Sequence, residues 1–345
     1  MQAELQPLLA AVQRNCHISD ARHAGDYTLC VYLLKMREYF RWEQGYRFRD
    51  KLPENDVGEW LRERELLWES LEDEPFAELP IGDRRYDPFD NEAINAALNP
   101  RGLVYSGGLG NRATPHFFLA RLGQAQREAR MTILVSGSEY ARDLTAPPAM
   151  ARDDTIYVRR ESVRRMIWEK IEEWRWNELD NAMGRAIACF DFDGDPEGAL
   201  EAMTETAIEV VLLHERGEVL AGERLGHEWE EMLARLPHSQ AELMARAVRD
   251  HYADALVTLP GLLRDGDDAA LYFFLAHQSS LRKQLFPALI EAGEEWRRSG
   301  SRDALAALAP TSERHWASLA QRMLDLYRAD APAERLRQLV ESNPL

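Results

Sequence analysis

Between residues 161 and 341 the chain places apolar residues three and four positions apart almost without a break. That period matches the α-helical turn and not the two-residue alternation of a half-buried strand. In 161–178 it sets Val163, Ile167, Ile171 and Trp174 on one face. Further helices are expected at about 197–215, 222–235, 239–258, 268–279, 282–297, 312–328 and 332–341. Asp195-Pro196 opens the first of them, with Asp as the cap and Pro in the first helical position. The C-terminal half of the chain therefore has to fold as packed helices.

The middle obeys another rule. Segments 102–106, 115–122, 130–136 and 155–160 are short runs rich in β-branched and aromatic residues. GGLGN, GQAQRE and the Pro147-Pro148 loop separate them, which predicts a small antiparallel sheet. Ahead of it, 3–15 reads as a helix with Pro7 in its first turn. Residues 17–26 are polar and punctuated, with Ser19 or Asp20 available as a helix cap. Residues 26–45 read as a helix apolar on more than one face, hence central in the core. Residues 55–73 form another helix, 74–90 read as loop, and Asp90 caps a helix at 91–98. The fold class is α+β, predominantly α-helical, with a small antiparallel β-sheet in the middle of the chain. Two regions are expected, 1–182 with the sheet inserted at about 100–160, and an all-helical 183–345. The boundary is placed at the polar stretch near Asn181–Gly184.

The 345 residues allow two or three domains. They carry 42 basic and 59 acidic side chains, a net charge of −17, which disfavours nucleic acid and anionic membrane surfaces as partners. No apolar stretch is long enough to span a bilayer. The N-terminus has no basic region ahead of an apolar one, so it does not read as a secretory signal. Three cysteines, Cys16, Cys30 and Cys189, make no metal or disulfide spacing. Cys16 and Cys30 lie in apolar surroundings and read as buried small hydrophobes. An odd count fits a reducing, cytoplasmic compartment.

Three segments bring histidine and carboxylate together. His17, Asp20, His23 and Asp26 fall three apart, a spacing that drifts about 60° per step on a helix. His23, Asp26 and Cys30 can nevertheless share a face. In the run His214-Glu215-Arg216-Gly217-Glu218, His214 and Glu218 meet if the helix persists through Gly217. This spacing is that of HExxH metal helices, but with Glu218 where the second histidine belongs, so no zinc-protease mechanism transfers. The bland reading is an ion pair at a helix end terminated by Gly217. In Asp250-His251-x-x-Asp254, His251 continues the inward stripe of Met244 and Val248, and Asp254 could orient it or share a ligand. The bland reading is a satisfied core histidine. Helical bundles build metal sites from such side chains on facing helices. No Glu-x-x-His pair of the ferritin-like di-iron type is present.

Two other features are weighed against simpler accounts. Tyr105-Ser-Gly-Gly-Leu-Gly-Asn-Arg112 could present backbone N–H groups to an anion, or could be a hairpin turn. The arginines of 142–165 could focus an anionic ligand, or could be ion-paired along the chain. All but four of the 42 basic residues are arginine, which fits codon bias as well as anion recognition.

CFDFDGD at 189–195 resembles the nucleophile motif of haloacid-dehalogenase-like phosphatases, which implies Asp191 as nucleophile and Asp193 as acid/base. Asp195 stands where that family has Thr, and the helical sequence downstream lacks the alternating strands such a fold needs. The run from Cys16 through HISDARHAGDYTLC to Glu43, together with PHFFLARL, YARDLTAPPAM and LLHERGE, resembles an uncharacterised bacterial family. That resemblance carries no activity and no functional residues across.

The expected function is a metal-dependent enzyme, a hydrolase or oxidoreductase, acting on a small anionic substrate. His23, Asp26, His214, Glu218, His251 and Asp254 are the expected ligands for iron, zinc or manganese, and Arg142, Arg160 and Arg164 the expected substrate contacts. The competing expectation is a non-catalytic binding or assembly protein in which the same residues pair internally.

Overall fold

A computed structural model gives the fold and describes residues 2–110, 114–152, 154–236 and 239–345. It is helix-dominated α+β with antiparallel strands in the middle of the chain, as the periodicities predict. The chain divides into two compact units. The first comprises Met1–Glu128, Ile133–Pro147 and Arg159–Ser162, and the second the remainder to Leu345.

In chain order the first part holds helices α1 (Gln2–His23), α2 (Leu29–Glu43) and α3 (Glu54–Glu69), then a short hairpin of β1 (Leu79–Ile81) and β2 (Arg84–Tyr86). Helix α4 (Asn91–Leu98) follows, capped by Asp90, whose side chain accepts from Ala93 N. Strands β3 (Leu103–Leu109), β4 (Pro115–Glu128) and β5 (Met131–Arg142) come next. β3 and β4 pair antiparallel, Leu103 opposite Arg121 and Leu109 opposite Pro115. Residues 111–113 of the turn between them, Arg112 included, lie outside the described residues. The N–H of Gly107 is already given to Asn91 Oδ1 at 2.7 Å, so it is not offered to an anion.

Helix α1 departs from expectation in two ways. It runs unbroken through 17–23, and it keeps Pro7 in its interior. The buried polar residues of its C-terminal half, Asn15, His17, Ser19 and Asp20, each find a partner. Asn15 exchanges two hydrogen bonds with Ala77, at 2.8 and 2.6 Å. Ser19 donates to Pro115 O. Asp20 is no cap: it is buried and accepts from Leu144 N at 2.8 Å. Burial and the nearby Asp143 push its carboxyl well above the usual range. His17 Nε2 lies 2.8 Å from Arg64 Nη1, and burial and that guanidinium lower its pKa to about 3. A second buried network joins β5 to residues 159–162. Arg159 donates twice to Glu139 at 2.8 Å, both side chains fully buried, and Ser162 adds a third bond to the same carboxylate.

Helix α2 is the main correction. Met36, Tyr39 and Phe40, spaced i, i+3, i+4, pack on Trp60 and Trp68 of α3. Its first half is not central in the core: Leu29, Val31, Leu33 and Leu34 are exposed, and so is Cys30. One amphipathic face is enough to seat the helix, and the turns before Met36 reach beyond its partner.

The second part begins with the antiparallel pair β6 (Ala149–Arg152) and β7 (Thr155–Arg159). Helices α5 (Arg160–Arg175), α6 (Ala182–Ala188), α7 (Pro196–Leu225), α8 (His227–Ala234) and α9 (Gln240–Ala253) follow. Then come α10 (Leu259–Asp265), α11 (Asp268–Ala276), α12 (Ser280–Leu285), α13 (Pro287–Ser299), α14 (Asp303–Arg328) and α15 (Ala333–Glu341). Asn181, expected at a boundary, starts α6 by accepting from Gly184 N. Trp229, Trp316, Phe274, Phe286 and Trp296 anchor one continuous core here. Among the described residues no helix is long and apolar enough to cross a membrane.

Candidate metal centre

Helices α7 and α9 bring the candidate site together. Gly217 does not end α7; the helix continues to Leu225, so His214 and Glu218 share a face. His214 Nε2 lies 3.5 Å from Glu218 Oε1. Gly217 has a different use. A Cβ there would meet Ala253 O at 2.4 Å, so the two helices approach backbone to backbone. At that level α9 passes into a single π turn, Asp254–Thr258, a distortion frequent at functional sites. The turn carries Asp254, which holds His214 Nδ1 at 2.8 Å. The other Asp254 oxygen accepts from Arg282 of α12.

Asp250 completes the group. One ligand atom each from His214, Glu218 and Asp250 lies within 4.8 Å of the others. A carboxylate on one imidazole nitrogen, with the second nitrogen toward another acid, is an arrangement that metal-ligating histidines share. One nitrogen and two oxygens suit manganese, iron or zinc. Two guanidiniums share the space. Arg249 donates to Glu218 at 3.1 Å and lies 3.9 Å from Asp250, and Arg282 pairs with Asp254.

The charges divide the carboxyls. Burial raises Glu218 and Asp254, but Arg249 and His214 for the first, and Arg282 and His214 for the second, hold both well below the usual range. Burial would lower His214, yet Asp254 and Glu218 outweigh it and raise its pKa well above 6.5. Glu215, the buried neighbour of His214, goes the other way. Burial and Glu218 push it up to about 8, so it keeps its proton at neutral pH. Burial and Glu218 also raise Asp250.

The expected ligands do not all meet here. His214, Glu218 and Asp254 do. His251 does not: it stacks on Trp316 with centroids 4.6 Å apart, and its Nε2 lies 3.1 Å from Arg282 O. Burial and Arg282 lower it to about 3. His23 and Asp26 belong to the first unit, where they face each other at 3.5 Å near the surface. Asp250 and Glu215 stand in the segments singled out in the sequence but were not among the expected ligands. Helical phase could have found Asp250, which shares a face with Asp254 four residues on, whereas His251 is turned about 100° away.

The arginines are committed elsewhere. Arg142 is buried in the first unit and packs over Tyr39 and Trp42. Arg160 opens α5 half-buried. Arg164 pairs with Glu197 and Glu201 of α7. The phosphatase motif also loses its setting. CFDFDGD leaves helix α6 rather than a strand, Asp191 accepts from Gly194 N, and Asp195 caps α7.

No curated protein and no solved structure matches the chain. Residues 7–159 match the N-terminal domain, and residues 164–343 the C-terminal domain, of a family of unknown function. The chain belongs to that family, DUF6866.

Proposed function

We propose that the protein is a metal-dependent enzyme whose centre lies between α7 and the end of α9, and that it carries out hydrolysis on a small anionic substrate. The observation that carries this reading is the placement of His214, held at Nδ1 by Asp254 with Nε2 toward Glu218, and with Asp250 in the same cluster. His214, Glu218 and Asp250 would hold a manganese, iron or zinc ion, which acts as a Lewis acid and lowers the pKa of water. Asp254 fixes the imidazole tautomer and orientation. Glu215, buried one residue from His214 and pushed up to about 8 by burial and Glu218, would be the proton donor to a leaving group. Arg249 and Arg282 supply positive charge beside the site for an anionic substrate.

A second reading has its own support. Arg249 and Arg282 already neutralise Glu218 and Asp254, as in a purely structural ion network of a non-catalytic protein. Metal analysis of untagged protein, with titration of manganese and zinc into chelator-treated protein, separates the two. One ion per chain, lost in Glu218→Gln and bound 10–100-fold more weakly in Asp254→Asn, is the expected result. Metal-free protein of full stability with no titratable site overturns it. We also propose a bacterial, cytoplasmic protein: the opening signature at 16–43 supports the first, and three free cysteines the second. The net charge of −17 supports a small molecule rather than nucleic acid or membrane as its partner.

A further inference from the structure

Arg249 of α9 reaches the acids of the proposed centre but is held there by little. Its Nη2 donates to Glu218 Oε1 at 3.1 Å, the same oxygen that His214 Nε2 faces at 3.5 Å. Nη2 lies 3.9 Å from Asp250, and Nη1 lies 3.8 Å from Glu230 of α8. Its Nε is buried without a hydrogen-bond partner. Arg159 shows the contrast: its Nε and its Nη2 both donate to one carboxylate at 2.8 Å, the fork that fixes a guanidinium. Arg249 sits instead between two carboxylates of unequal exposure, Glu218 at 21% and Glu230 at 59%. A closing of about 1 Å would put Nη1 in hydrogen-bond range of Glu230.

Two of the acids within reach of Arg249, Glu218 and Asp250, are those a metal ion would need. An ion on Glu218 beside the guanidinium would crowd like charges onto one carboxylate. Arginine does not give up its proton, so it cannot yield by becoming neutral; it has to move. On the reading of His214, Glu218 and Asp250 as a metal centre, we propose that Arg249 is a displaceable counter-cation. It pairs with Glu218 until a divalent ion binds, and then passes to Glu230. The ion thus competes with the chain's own cation, which sets metal affinity below what the three ligands alone would give. Glu230 is a positioning residue: it favours the loaded centre by receiving the arginine.

Calorimetric titration of manganese into the chelator-treated full chain tests this. Arg249→Met binds manganese about 10-fold more tightly than the parent, a usual size for coupling between neighbouring sites. Glu230→Gln binds it about 3-fold more weakly, the worth of a half-exposed ion pair. Glu231→Gln, an equal loss of charge at the next residue, which faces His227, binds as the parent does. Arg249→Met with Glu230→Gln binds like Arg249→Met alone, because Glu230 acts only through the arginine. The side chains of Glu230 and Glu231 are more than half exposed, so their comparison carries the test even where Arg249→Met does not fold. Equal affinity in the parent, Arg249→Met and Glu230→Gln overturns the exchange and leaves the centre standing. A weakening in Glu230→Gln that Glu231→Gln matches, or that persists without Arg249, is long-range charge alone and also overturns the exchange. No binding by any of these proteins overturns the centre itself, and the exchange with it.

Discussion

Gly217→Ala should unsettle the protein although alanine is the better helix former. A methyl at Gly217 would sit 2.4 Å from Ala253 O and 2.9 Å from its carbonyl carbon. Both are backbone atoms, so α7 and α9 must part by on the order of 1 Å to restore contact distance. Such overpacking costs about 3 kcal/mol, and helix propensity returns about 1, leaving a net loss near 2 kcal/mol. Gly222 lies on the same helix with nothing within 4 Å of its added Cβ. Gly222→Ala should therefore stabilise by about 0.5–1 kcal/mol. Urea unfolding of the two variants beside the parent reads the difference in sign. Parting the helices also lengthens the His214–Asp254 bond, so the raised pKa of His214 should fall back toward 6.5 in Gly217→Ala, followed by NMR titration. Equal stability of the two alanine variants, with His214 titrating as in the parent, would refute the close approach and the site built on it.

Two further expectations concern the first unit. His17 has a pKa of about 3 when folded and 6.5 when unfolded, so between those values the unfolded chain binds the extra proton. Stability is then complete above pH 6.5 and lost as the pH falls, by about 2 kcal/mol at pH 5. His17→Gln should flatten that slope in urea titrations at pH 7 and 5; an unchanged slope refutes the assignment. Arg159→Met leaves Glu139 buried without its partner and should cost about 3–5 kcal/mol, whereas Arg159→Met with Glu139→Leu should recover most of the loss. Thermal melts of the single and double variants check this, and additive losses would refute it.

Helix and strand content was legible because period alone decides it. Each helix expected in the second part overlaps an observed one, strands β3, β4, β5 and β7 overlap their expected segments, and Asp90 and Asp195 cap where they should. But α6 and α10 were not expected, α7 runs on through 216–221, α14 begins nine residues early, and β4 continues through GQAQRE, expected as a turn. The β1–β2 hairpin was not legible, since three-residue strands are too short to show alternation. Nor was the length of α1, because the buried residues of its second half include Asn15, His17, Ser19 and Asp20, whose partners come from distant segments. At the site, the spacing of His214 and Glu218 was visible, but the choice between Asp250 and His251 depended on which face of α9 meets α7. The raised pKa of Glu215 arises from burial and from Glu218, and nothing local to Glu215 announces the first.

The polar residues on the buried side of α1 have a mechanical meaning. An oily helix can slip along its groove by one turn and exchange one set of loose contacts for another. Such a slip would move α1 by about 5.4 Å and strand Gln13, Asn15, Ser19 and Asp20 away from Arg142, Ala77, Pro115 and Leu144 at once. The helix works as a key with four differently placed teeth, seated in one position only, and it aligns the hairpin approach, the start of β4 and the end of β5 by turning in a single lock.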